Sequence, residues 1–497
     1  MRRKILLLQP TVGEWDEMRT APALPLALLH AATLVAEEYD VEIFDRRLHR
    51  VGWESALAAH IDDRLMLVGA TAFTGPMLRS SLEMCRVIRA HRPDIPIVWG
   101  GIHASLLPQE TAKSDFADYV VQGEGEVPLR DLARCVDRGE SPEGIPGIWY
   151  RQDGEVVGTP PGPMVTLEEM PSPPWHLVDV TRYLPKYKGR KGIYFQSSRG
   201  CPLPCTYCYN VVFNSRRWRS LSPEKTVEQI RHLVDTYGAE DIYFVDDMFF
   251  TNIKRARRIA ELLCDVDVTW QVQGVDIMGM KRMTDDDYRL IIKSGCSRLT
   301  CGIESGSPRL RRYVKKQGTV EDIEEVTARL AKFPITLYYS FMCGIPTETI
   351  EEVKMTVDLI FRLLTSNPNL HVSPLYNFTP YPGTELFQVA QDLGMPMPSR
   401  LEDWAEFRHE QTNFFPERRD FYESLYFTSL FVDDKTREYD VPATVRLLSS
   451  IYRPIARYRT RHFFFKGLLE RPAMDMAMKV WRGVGQNILM RKPLYTE

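Results

Sequence analysis

The chain has 497 residues, of which 44% are hydrophobic and 26% are charged, and its formal net charge is −3. This balance is typical of a globular protein in water and excludes a disordered chain and an integral membrane protein. No apolar run approaches the ~18–20 residues of a bilayer span, and we expect no signal peptide. The small net charge gives no field that would attract nucleic acid. Nine cysteines are too few for a disulfide framework and favour a reducing cytoplasm.

Residues 1–145 alternate short apolar strands with helical segments. The strands are predicted at residues 4–8, 41–44, 65–70, 95–99 and 119–121. This alternation predicts a doubly wound, Rossmann-like α/β domain with a parallel sheet. Ligands of such sheets bind at the carboxyl ends of the strands. Those ends are rich here in glycine, proline and small polar residues.

Three further regions follow the first domain. Six prolines between residues 160 and 174 lie in the segment 146–190, which predicts an extended linker. From 191 to 400 a new alternation predicts about six β/α units, typical of a partial barrel with its site at the carboxyl ends of the strands. Residues 401–497 lack this alternation and are predicted to be mostly helical.

The carboxyl-terminal region has two features that the sequence leaves open. Ten lysines and arginines between residues 453 and 492 lie among aromatic residues. They suit peripheral contact with an anionic membrane surface, or equally a solvated helix face packed on the barrel. The aromatic residues between 404 and 431 would close a cleft over an aromatic or apolar substrate, or pack into a core.

The clearest chemical signal is the segment 199–210, which reads RGCPLPCTYCYN. Cys201, Cys205 and Cys208 follow a predicted strand with C-x3-C-x2-C spacing. Three thiolates so spaced can bind three corners of a cubane 4Fe–4S cluster and leave one iron open for a small molecule. Zinc is the competing metal, but a structural zinc site normally needs a fourth ligand.

This cysteine motif resembles the signature of the radical S-adenosylmethionine (SAM) superfamily. Segments 243–247, 301–306, 343–349 and 381–384 resemble that family in the same order, so the resemblance spans about residues 190–390. It implies SAM contacts at Tyr207, Asp246, Glu304 and Gly344. Relatives usually carry a basic residue for the SAM carboxylate on the strand that begins at residue 270. This chain has glutamines there, and Gln273 is the neutral substitute.

Residues 1–145 resemble the cobalamin-binding (B12-binding) domain that precedes the barrel in one large class of radical SAM enzymes. The implied cobalamin contacts are Gln9, Pro10, Thr74, Gly75, Gly100, Gly101, His103, Gly123 and Glu124. No D-x-H-x-x-G segment occurs, so the resemblance implies base-off cobalamin without a histidine below the cobalt. His103 would then touch the nucleotide tail or the loop. A Rossmann-like domain for another ligand is the alternative, although G-x-G-x-x-G is missing after the first strand.

The combined resemblance implies a cobalamin-dependent radical SAM methyltransferase that acts on an unactivated carbon of a small molecule, with an electron donor such as flavodoxin or ferredoxin. One alternative is a cyclase, ring-rearranging or oxidative enzyme with the same cofactors. A cobalamin carrier or sensor is the non-enzyme alternative, but it has no use for an open-site cluster. Methylthiotransferases carry three further cluster cysteines in the first domain, whereas this chain has only Cys85 and Cys135 there.

Overall fold

A computed structural model describes residues 2–13, 16, 21–407, 415–434 and 443–467. The strands are β1 (Lys4–Gln9), β2 (Asp40–Asp45), β3 (Leu65–Thr71), β4 (Ile97–Gly100), β5 (Tyr119–Val121), β6 (Ile148–Gln152), β7 (Glu155–Gly158), β8 (Lys186–Tyr187), β9 (Arg190–Phe195), β10 (Ser198–Arg199), β11 (Arg219–Ser220), β12 (Asp241–Phe244), β13 (Thr269–Val275), β14 (Cys296–Glu304), β15 (Thr336–Cys343) and β16 (Leu370–Asn377). The α-helices are α1 (Leu26–Val35), α2 (Trp53–Ala58), α3 (Pro76–His91), α4 (Gly101–Leu106), α5 (Pro108–Thr111), α6 (Glu126–Arg138), α7 (Tyr209–Phe213), α8 (Pro223–Tyr237), α9 (Ile253–Leu263), α10 (Ile277–Arg282), α11 (Asp285–Lys293), α12 (Pro308–Tyr313), α13 (Val320–Leu330), α14 (Ile350–Ser366), α15 (Glu385–Asp392), α16 (Arg419–Ser429) and α17 (Ala443–His462).

The first domain is built on a seven-stranded sheet in the order β2-β1-β3-β4-β5-β6-β7. Strands β1 to β5 pair in parallel, which confirms the predicted Rossmann-like sheet. Leu28 of α1 and Leu132 of α6 bury one face, while Leu57 of α2 and Leu82 of α3 bury the other. Because both faces are covered, β1 and β3 are buried along their whole length and their central residues are apolar.

The first domain extends further along the chain than the predicted boundary at residue 145. β6 and β7 form an antiparallel hairpin that continues the sheet beyond β5. Its turn has positive φ at Asp153 (52°) and Gly154 (86°), the type I′ geometry that Asp-Gly pairs favour. The proline-rich chain that follows connects the two domains through short 3-10 turns at Leu167–Glu169, Trp175–Leu177 and Val180–Tyr183.

The second domain has a sheet in the order β16-β15-β14-β13-β12-β9-β8. Six of these strands, β9 and β12 to β16, are parallel, which confirms the partial (β/α)6 barrel. The helices between them have regular caps. Ser222 caps α8 by accepting a hydrogen bond from the backbone N–H of Lys225, and α8 ends at Gly238 in the left-handed conformation.

The described part of the carboxyl-terminal region is helical, as predicted, and its aromatic residues pack into cores. Tyr422 of α16 joins the barrel core, whereas Trp404 and Phe407 join the core of the first domain. Arg453 pairs with Asp434, and Arg457 donates to a backbone carbonyl, so these cations face the protein and support the packed-helix interpretation. Phe414 and residues 468–497 of the basic region lie outside the described residues. Among the helices of the described ranges, none has the length and apolar character that a membrane crossing requires.

Candidate active site

The three cysteines lie on the loop between β10 and α7, at the carboxyl end of β9. β10 pairs with β11 on either side of this loop and holds its base together. Gly200 opens the loop at φ +85°, and a Cβ there would lie 1.9 Å from the carbonyl oxygen of Arg217. Only glycine therefore fits at the entry to the loop.

The three cysteine side chains suit a 4Fe–4S cluster, to which each would bind as a thiolate. All three are free, Cys205 is buried, and Cys201 and Cys208 are half-buried. Burial raises the pKa of Cys201 to about 11 and that of Cys208 to about 12, and the three thiols act on one another electrostatically. Thiolates in such a place need positive charge beside them, which bound iron supplies. Within the described ranges, no three His, Cys, Asp or Glu side chains converge as ligands of a single ion. A cubane cluster needs no such convergence, because each of its cysteines binds a different iron atom.

Two aspartates that follow β12, Asp246 and Asp247, accept hydrogen bonds from the chain that leads into the cysteine loop. Asp246 is 1% exposed, and its carboxylate accepts hydrogen bonds from Ser197 N, Ser197 Oγ and Ser198 Oγ. Asp247 accepts from the backbone N–H of Gly200 at 2.8 Å. Because Ser197 and Ser198 occupy this carboxylate, any contact of Asp246 with SAM would involve its other atoms, and that contact stays a prediction. The sequence did not predict that Asp247 anchors the backbone of Gly200 at the start of the cysteine loop.

A cavity of about 390 Å³ opens at the carboxyl ends of β14, β15 and β16. It is lined by Tyr207, Glu304, Ser340, Phe341, Met342, Tyr376, Asn377, Phe378, Thr379, Tyr381 and Tyr426. The structure thus brings together Tyr207 and Glu304, two of the predicted SAM contacts. The Tyr207 hydroxyl donates to Glu304 Oε1 at 2.9 Å, and Lys316 Nζ lies 3.3 Å from the same oxygen. Lys316 was not predicted, since nothing local in the sequence pairs it with Glu304.

Of the two glutamines on β13, Gln271 has a structural contact. Its Nε2 donates to Asp241 Oδ2 at 2.6 Å, which ties β13 to β12. Gln273 is exposed, and no hydrogen bond of its side chain is found among the described residues. A Cβ at Gly274 would lie 2.1 Å from the carbonyl oxygen of Asp246, so the backbone there is tightly packed. Contact of Gln273 with SAM stays a prediction.

Gly344 lies in the turn after β15 with φ +74°. Its N–H donates to Glu348 Oε2 at 2.5 Å. Burial raises the pKa of Glu348 to about 8, although the hydrogen bond from Gly344 acts against it. Because Glu348 occupies the Gly344 N–H, any contact of Gly344 with SAM would involve its other atoms, and that contact stays a prediction.

The glycines predicted to approach cobalamin fall into two pairs. A Cβ at Gly100 or at Gly123 would meet nothing within 4 Å, which leaves open space over the backbone. At Gly75 it would lie 2.5 Å from the carbonyl oxygen of Phe407, and at Gly101 2.5 Å from Thr71 Oγ1. Gly100 and Gly123 thus fit a ligand that approaches the backbone closely. Gly75 and Gly101 are required by packing against the protein itself.

Thr74 and His103 are buried beside these glycines. His103 Nδ1 lies 3.0 Å from Thr74 Oγ1, while its Nε2 is buried without a hydrogen-bond partner among the described residues. Burial lowers the pKa of His103 to about 3, so the ring is neutral. An unpaired buried nitrogen fits a ligand that would complete its hydrogen bonding. On the neighbouring strand end, Gln9 Nε2 donates to the carbonyl oxygen of Pro10.

Glu124 is engaged by the second domain. Its carboxylate accepts from Arg199 Nη1 and from Arg219 Nη1, each at 2.8 Å, and from the backbone N–H of Val165. Arg199 also pairs with Glu126 at 2.7 Å. Glu124 therefore joins the first domain, the connecting segment and the strand that leads into the cysteine loop. The structure shows these contacts of Glu124 with the second domain, and its contact with cobalamin stays a prediction.

An aromatic group joins the two domains next to the cysteines. The ring of Phe73 packs edge-on against Tyr209 at 5.5 Å and against Tyr381 at 5.4 Å. Phe73 precedes Thr74 in the first domain, Tyr209 follows Cys208, and Tyr381 lines the cavity. The strand-end loop of the first domain thus lies against both the cysteine loop and the cavity.

Comparison with known proteins agrees with this arrangement. Residues 195–360 match the family model of the radical SAM superfamily, and residues 21–133 match that of the B12 binding domain. An uncharacterized methyltransferase of Pyrococcus horikoshii is 29% identical over 393 residues, 78% of this chain and 82% of that protein. The anaerobic magnesium-protoporphyrin IX monomethyl ester cyclase of Rubrivivax gelatinosus is 27% identical over 335 residues, 66% of this chain and 58% of that protein.

The fold also matches a solved structure. The radical SAM methyltransferase TsrM from Kitasatospora setae, solved with cobalamin and a 4Fe–4S cluster bound, has a TM-score of 0.65 at 22% identity, over 80% of this chain and 76% of TsrM. The two domain models match in the order that the sequence predicted. Cobalamin, SAM and a 4Fe–4S cluster are accordingly its cofactors. The chain belongs to the cobalamin-dependent radical SAM enzymes, a family with methyltransferases among its members.

Proposed function

We propose that this enzyme transfers a methyl group from SAM, through methylcobalamin, to an unactivated carbon of a small-molecule substrate. The observation that carries the proposal is the contact of Phe73 with both Tyr209 and Tyr381. It places the strand-end loop of the B12-binding domain against the cysteine loop and against the wall of the cavity. A substrate in that cavity is therefore next to both cofactor-binding regions. The similarity to the uncharacterized methyltransferase of Pyrococcus horikoshii supports methyl transfer.

The residues of the chain divide between holding the cofactors and shielding the reaction. Cys201, Cys205 and Cys208 would hold the cluster, and Glu304 with Tyr207 would hold SAM. Gly100, Gly123 and His103 would hold cobalamin. When bound, the cluster and SAM supply a radical that abstracts hydrogen, and cobalamin supplies the methyl group.

The protein itself binds, orients and excludes water. Asp247 holds the backbone N–H of Gly200, which keeps the cysteine loop in place. The rings of Phe73, Tyr209 and Tyr381 close the junction of the domains with apolar surface. A reactive intermediate formed there is protected from solvent.

The cavity also supports a class of substrate. Its wall is mostly aromatic or apolar, with Phe341, Met342, Tyr376, Phe378 and Tyr426 among its residues. Polar side chains also line it, among them Glu304, Asn377 and Thr379. SAM would take the end of the cavity at Glu304 and Tyr207, and the aromatic remainder suits an aromatic or apolar small-molecule substrate better than a highly charged one.

The electron donor has a candidate docking place beside the cysteine loop. Arg216 and Arg217 are exposed, and Arg216 Nε donates to the carbonyl oxygen of Pro202 within the loop at 3.2 Å. No ion pair of either arginine is found among the described residues. Two exposed cations next to the cluster loop suit an acidic electron carrier such as flavodoxin or ferredoxin.

A cyclase or another oxidative reaction is the second candidate, which the similarity to the magnesium-protoporphyrin cyclase favours. The mass of the product separates the two candidates. The reconstituted enzyme is incubated with SAM, reductant and candidate aromatic substrates, and the products are analysed by mass spectrometry. Gain of one methylene unit supports the methyltransferase. Loss of hydrogens without added carbon supports the cyclase and rejects the proposal.

A further inference from the structure

Lys316 is a buried cation at the active site that the reaction described above does not use. It lies on the turn after α12, and its side chain is 12% exposed. Its Nζ is 3.3 Å from Glu304 Oε1, the oxygen that also accepts from the Tyr207 hydroxyl. Within the described residues, no hydrogen bond to Glu304 Oε2 is found. One carboxylate oxygen is thus held by the protein while Glu304 lines the cavity.

The backbone around this ion pair is built to accommodate it. Glu304 has φ +70°, a left-handed conformation that is strained for a residue with a side chain. A Cβ at Gly302 would lie 2.2 Å from Glu304 Oε1 and 3.0 Å from Lys316 Nζ. A glycine at 302 therefore leaves the space that the carboxylate and the ammonium occupy.

A buried arginine braces the two segments that carry the pair. Arg311 Nη1 donates to the carbonyl oxygen of Ile303 at 2.6 Å, next to Glu304. Its Nη2 donates to the carbonyl oxygen of Gln317 at 2.7 Å, next to Lys316. The distance between Glu304 and Lys316 is thus set by a side chain that touches neither of them.

Lys316 carries its positive charge next to the cluster loop. Burial acts to lower the pKa of Lys316, but the carboxylate of Glu304 and the sulfurs of Cys205 and Cys301 outweigh it, and the pKa is raised. In a site with little solvent, a fixed charge acts on its neighbours more strongly than in water. The backbone N–H of Thr206, next to Cys205, donates to the carbonyl oxygen of Val314 at 3.2 Å, two residues before Lys316. The segment that carries Lys316 thus lies against the cysteine loop.

We propose that Lys316 is a positioning residue for both SAM and the cluster. Together with Tyr207 it holds Glu304 Oε1, so that Oε2 is presented to SAM in the cavity. Its charge beside Cys205 also stabilises the reduced cluster, which carries one more electron than the oxidised cluster, and so raises the midpoint potential. The inference rests on the proposed function only in taking SAM as the ligand of the cavity.

The test uses the reconstituted full-length enzyme without substrate, and compares Lys316→Met with Lys316→Arg. SAM affinity is measured by equilibrium binding, and the cluster potential by a redox titration followed by electron paramagnetic resonance. For Lys316→Met we expect SAM affinity to fall by roughly 10-fold to 100-fold, the range found when partners of metal-site ligands are removed. We expect its midpoint potential to fall as well. Lys316→Arg keeps the positive charge, so it should retain most of the SAM affinity and most of the midpoint potential of the wild type.

Two further variants keep the test decisive. Lys315→Met is the matched control, because Lys315 is exposed and pairs with Glu385 at the surface, and both measurements should stay as in the wild type. Gly302→Ala crowds the Glu304 carboxylate most and the Lys316 ammonium less, and it removes no charge. SAM affinity should therefore fall, while the midpoint potential should change less than in Lys316→Met. If Lys316→Met fails to load iron, Gly302→Ala decides the positioning role.

The proposal is overturned if Lys316→Met loads its full iron and keeps wild-type SAM affinity and potential. It is equally overturned if Lys315→Met shows the same losses, or if Gly302→Ala leaves SAM affinity unchanged. Neither measurement depends on methyl transfer. Failure to find a methylated product would therefore reject the proposed function without affecting this result.

Discussion

Arg199 and Glu124 form a buried ion pair between the two domains, with 2.8 Å between Arg199 Nη1 and Glu124 Oε1. Glu124 lies in the glycine-rich loop after β5, and Arg199 is two residues before Cys201. The side chains are 7% and 12% exposed, so water screens the pair weakly. The B12-binding domain is thereby connected directly to the base of the cluster loop.

Removal of the Glu124 charge is expected to destabilise the protein. Removing one partner of a buried ion pair typically costs about 3–5 kcal/mol of folding stability. The loss here should be smaller, because Arg199 still pairs with Glu126. We therefore expect Glu124→Gln to lower the urea midpoint of unfolding and to reduce iron loading. Glu140→Gln is the control, because Glu140 is exposed in the same domain. Equal urea midpoints for the two variants would contradict a stabilising role of the inter-domain pair.

The cysteine motif makes a simple prediction about iron. Cys201→Ser, Cys205→Ser and Cys208→Ser should each lose most of the iron after anaerobic reconstitution, because each removes one ligand. Cys264→Ser should keep the wild-type content of about four irons per chain, since Cys264 is exposed on the surface. Iron content by inductively coupled plasma mass spectrometry checks this. Retention of a full cluster in any of the first three variants would speak against the ligand set.

Cobalamin binding is expected to depend on the open space over Gly100. A Cβ there meets nothing within 4 Å, and the backbone φ is −139°, so Gly100→Val should fold normally. The new side chain would occupy the space through which the ligand approaches, and cobalt content should fall by at least about 10-fold. Gly144→Val, also in open space, is the control. Full cobalt content in Gly100→Val would place cobalamin elsewhere.

Glu348 predicts a pH dependence of stability. Burial raises its pKa from 4.5 to about 8, so the folded state holds a proton that the unfolded chain releases. The contribution of Glu348 to stability is therefore fully present below about pH 4.5 and is lost as the pH rises towards 8. Glu348→Gln stays neutral and should show a smaller decline over this range. Urea unfolding at a series of pH values measures both, and parallel profiles would refute the assignment.

Charge reversal at Arg216 and Arg217 tests the docking place of the electron donor. The double variant Arg216→Glu, Arg217→Glu should slow reduction of the cluster by flavodoxin by about 10-fold or more at low salt. Reduction by dithionite should be unchanged, because a small reductant needs no docking surface. Lys254→Glu, an exposed charge on α9, is the control. An equal loss with both reductants would point to damage of the cluster itself.

The sequence predicted the parts of the site that depend on local patterns. The C-x3-C-x2-C spacing identified the cluster loop, and alternating strands and helices predicted both parallel sheets. The sequence does not separate the contacts of Asp246 and Asp247, because two adjacent aspartates at a strand end look alike and only packing shows that Asp246 is buried. Gly75 and Gly101 likewise differ from Gly100 through a positive φ and through neighbours that are distant in the sequence.

Other residues were missed because their partners are far apart in the chain. Glu124 and Arg199 are separated by 75 positions, and no periodicity connects them. Lys316 appears in the sequence as one of several cations on a polar turn. Its importance arises from the fold, which places it against Glu304 beside the cysteine loop. The hairpin of β6 and β7 did have a local signal, the Asp153-Gly154 turn, beside a proline-rich stretch that predicted a linker.

Transfer of the SAM methyl group to cobalamin tests the central claim most directly, since it needs no substrate. The reconstituted enzyme is incubated anaerobically with SAM bearing a deuterated methyl group and a reductant, and the bound cobalamin is analysed by mass spectrometry. We expect cobalamin that carries the deuterated methyl group. Cobalamin that stays unmethylated, while the reduced cluster cleaves SAM, would contradict methyl transfer through cobalamin.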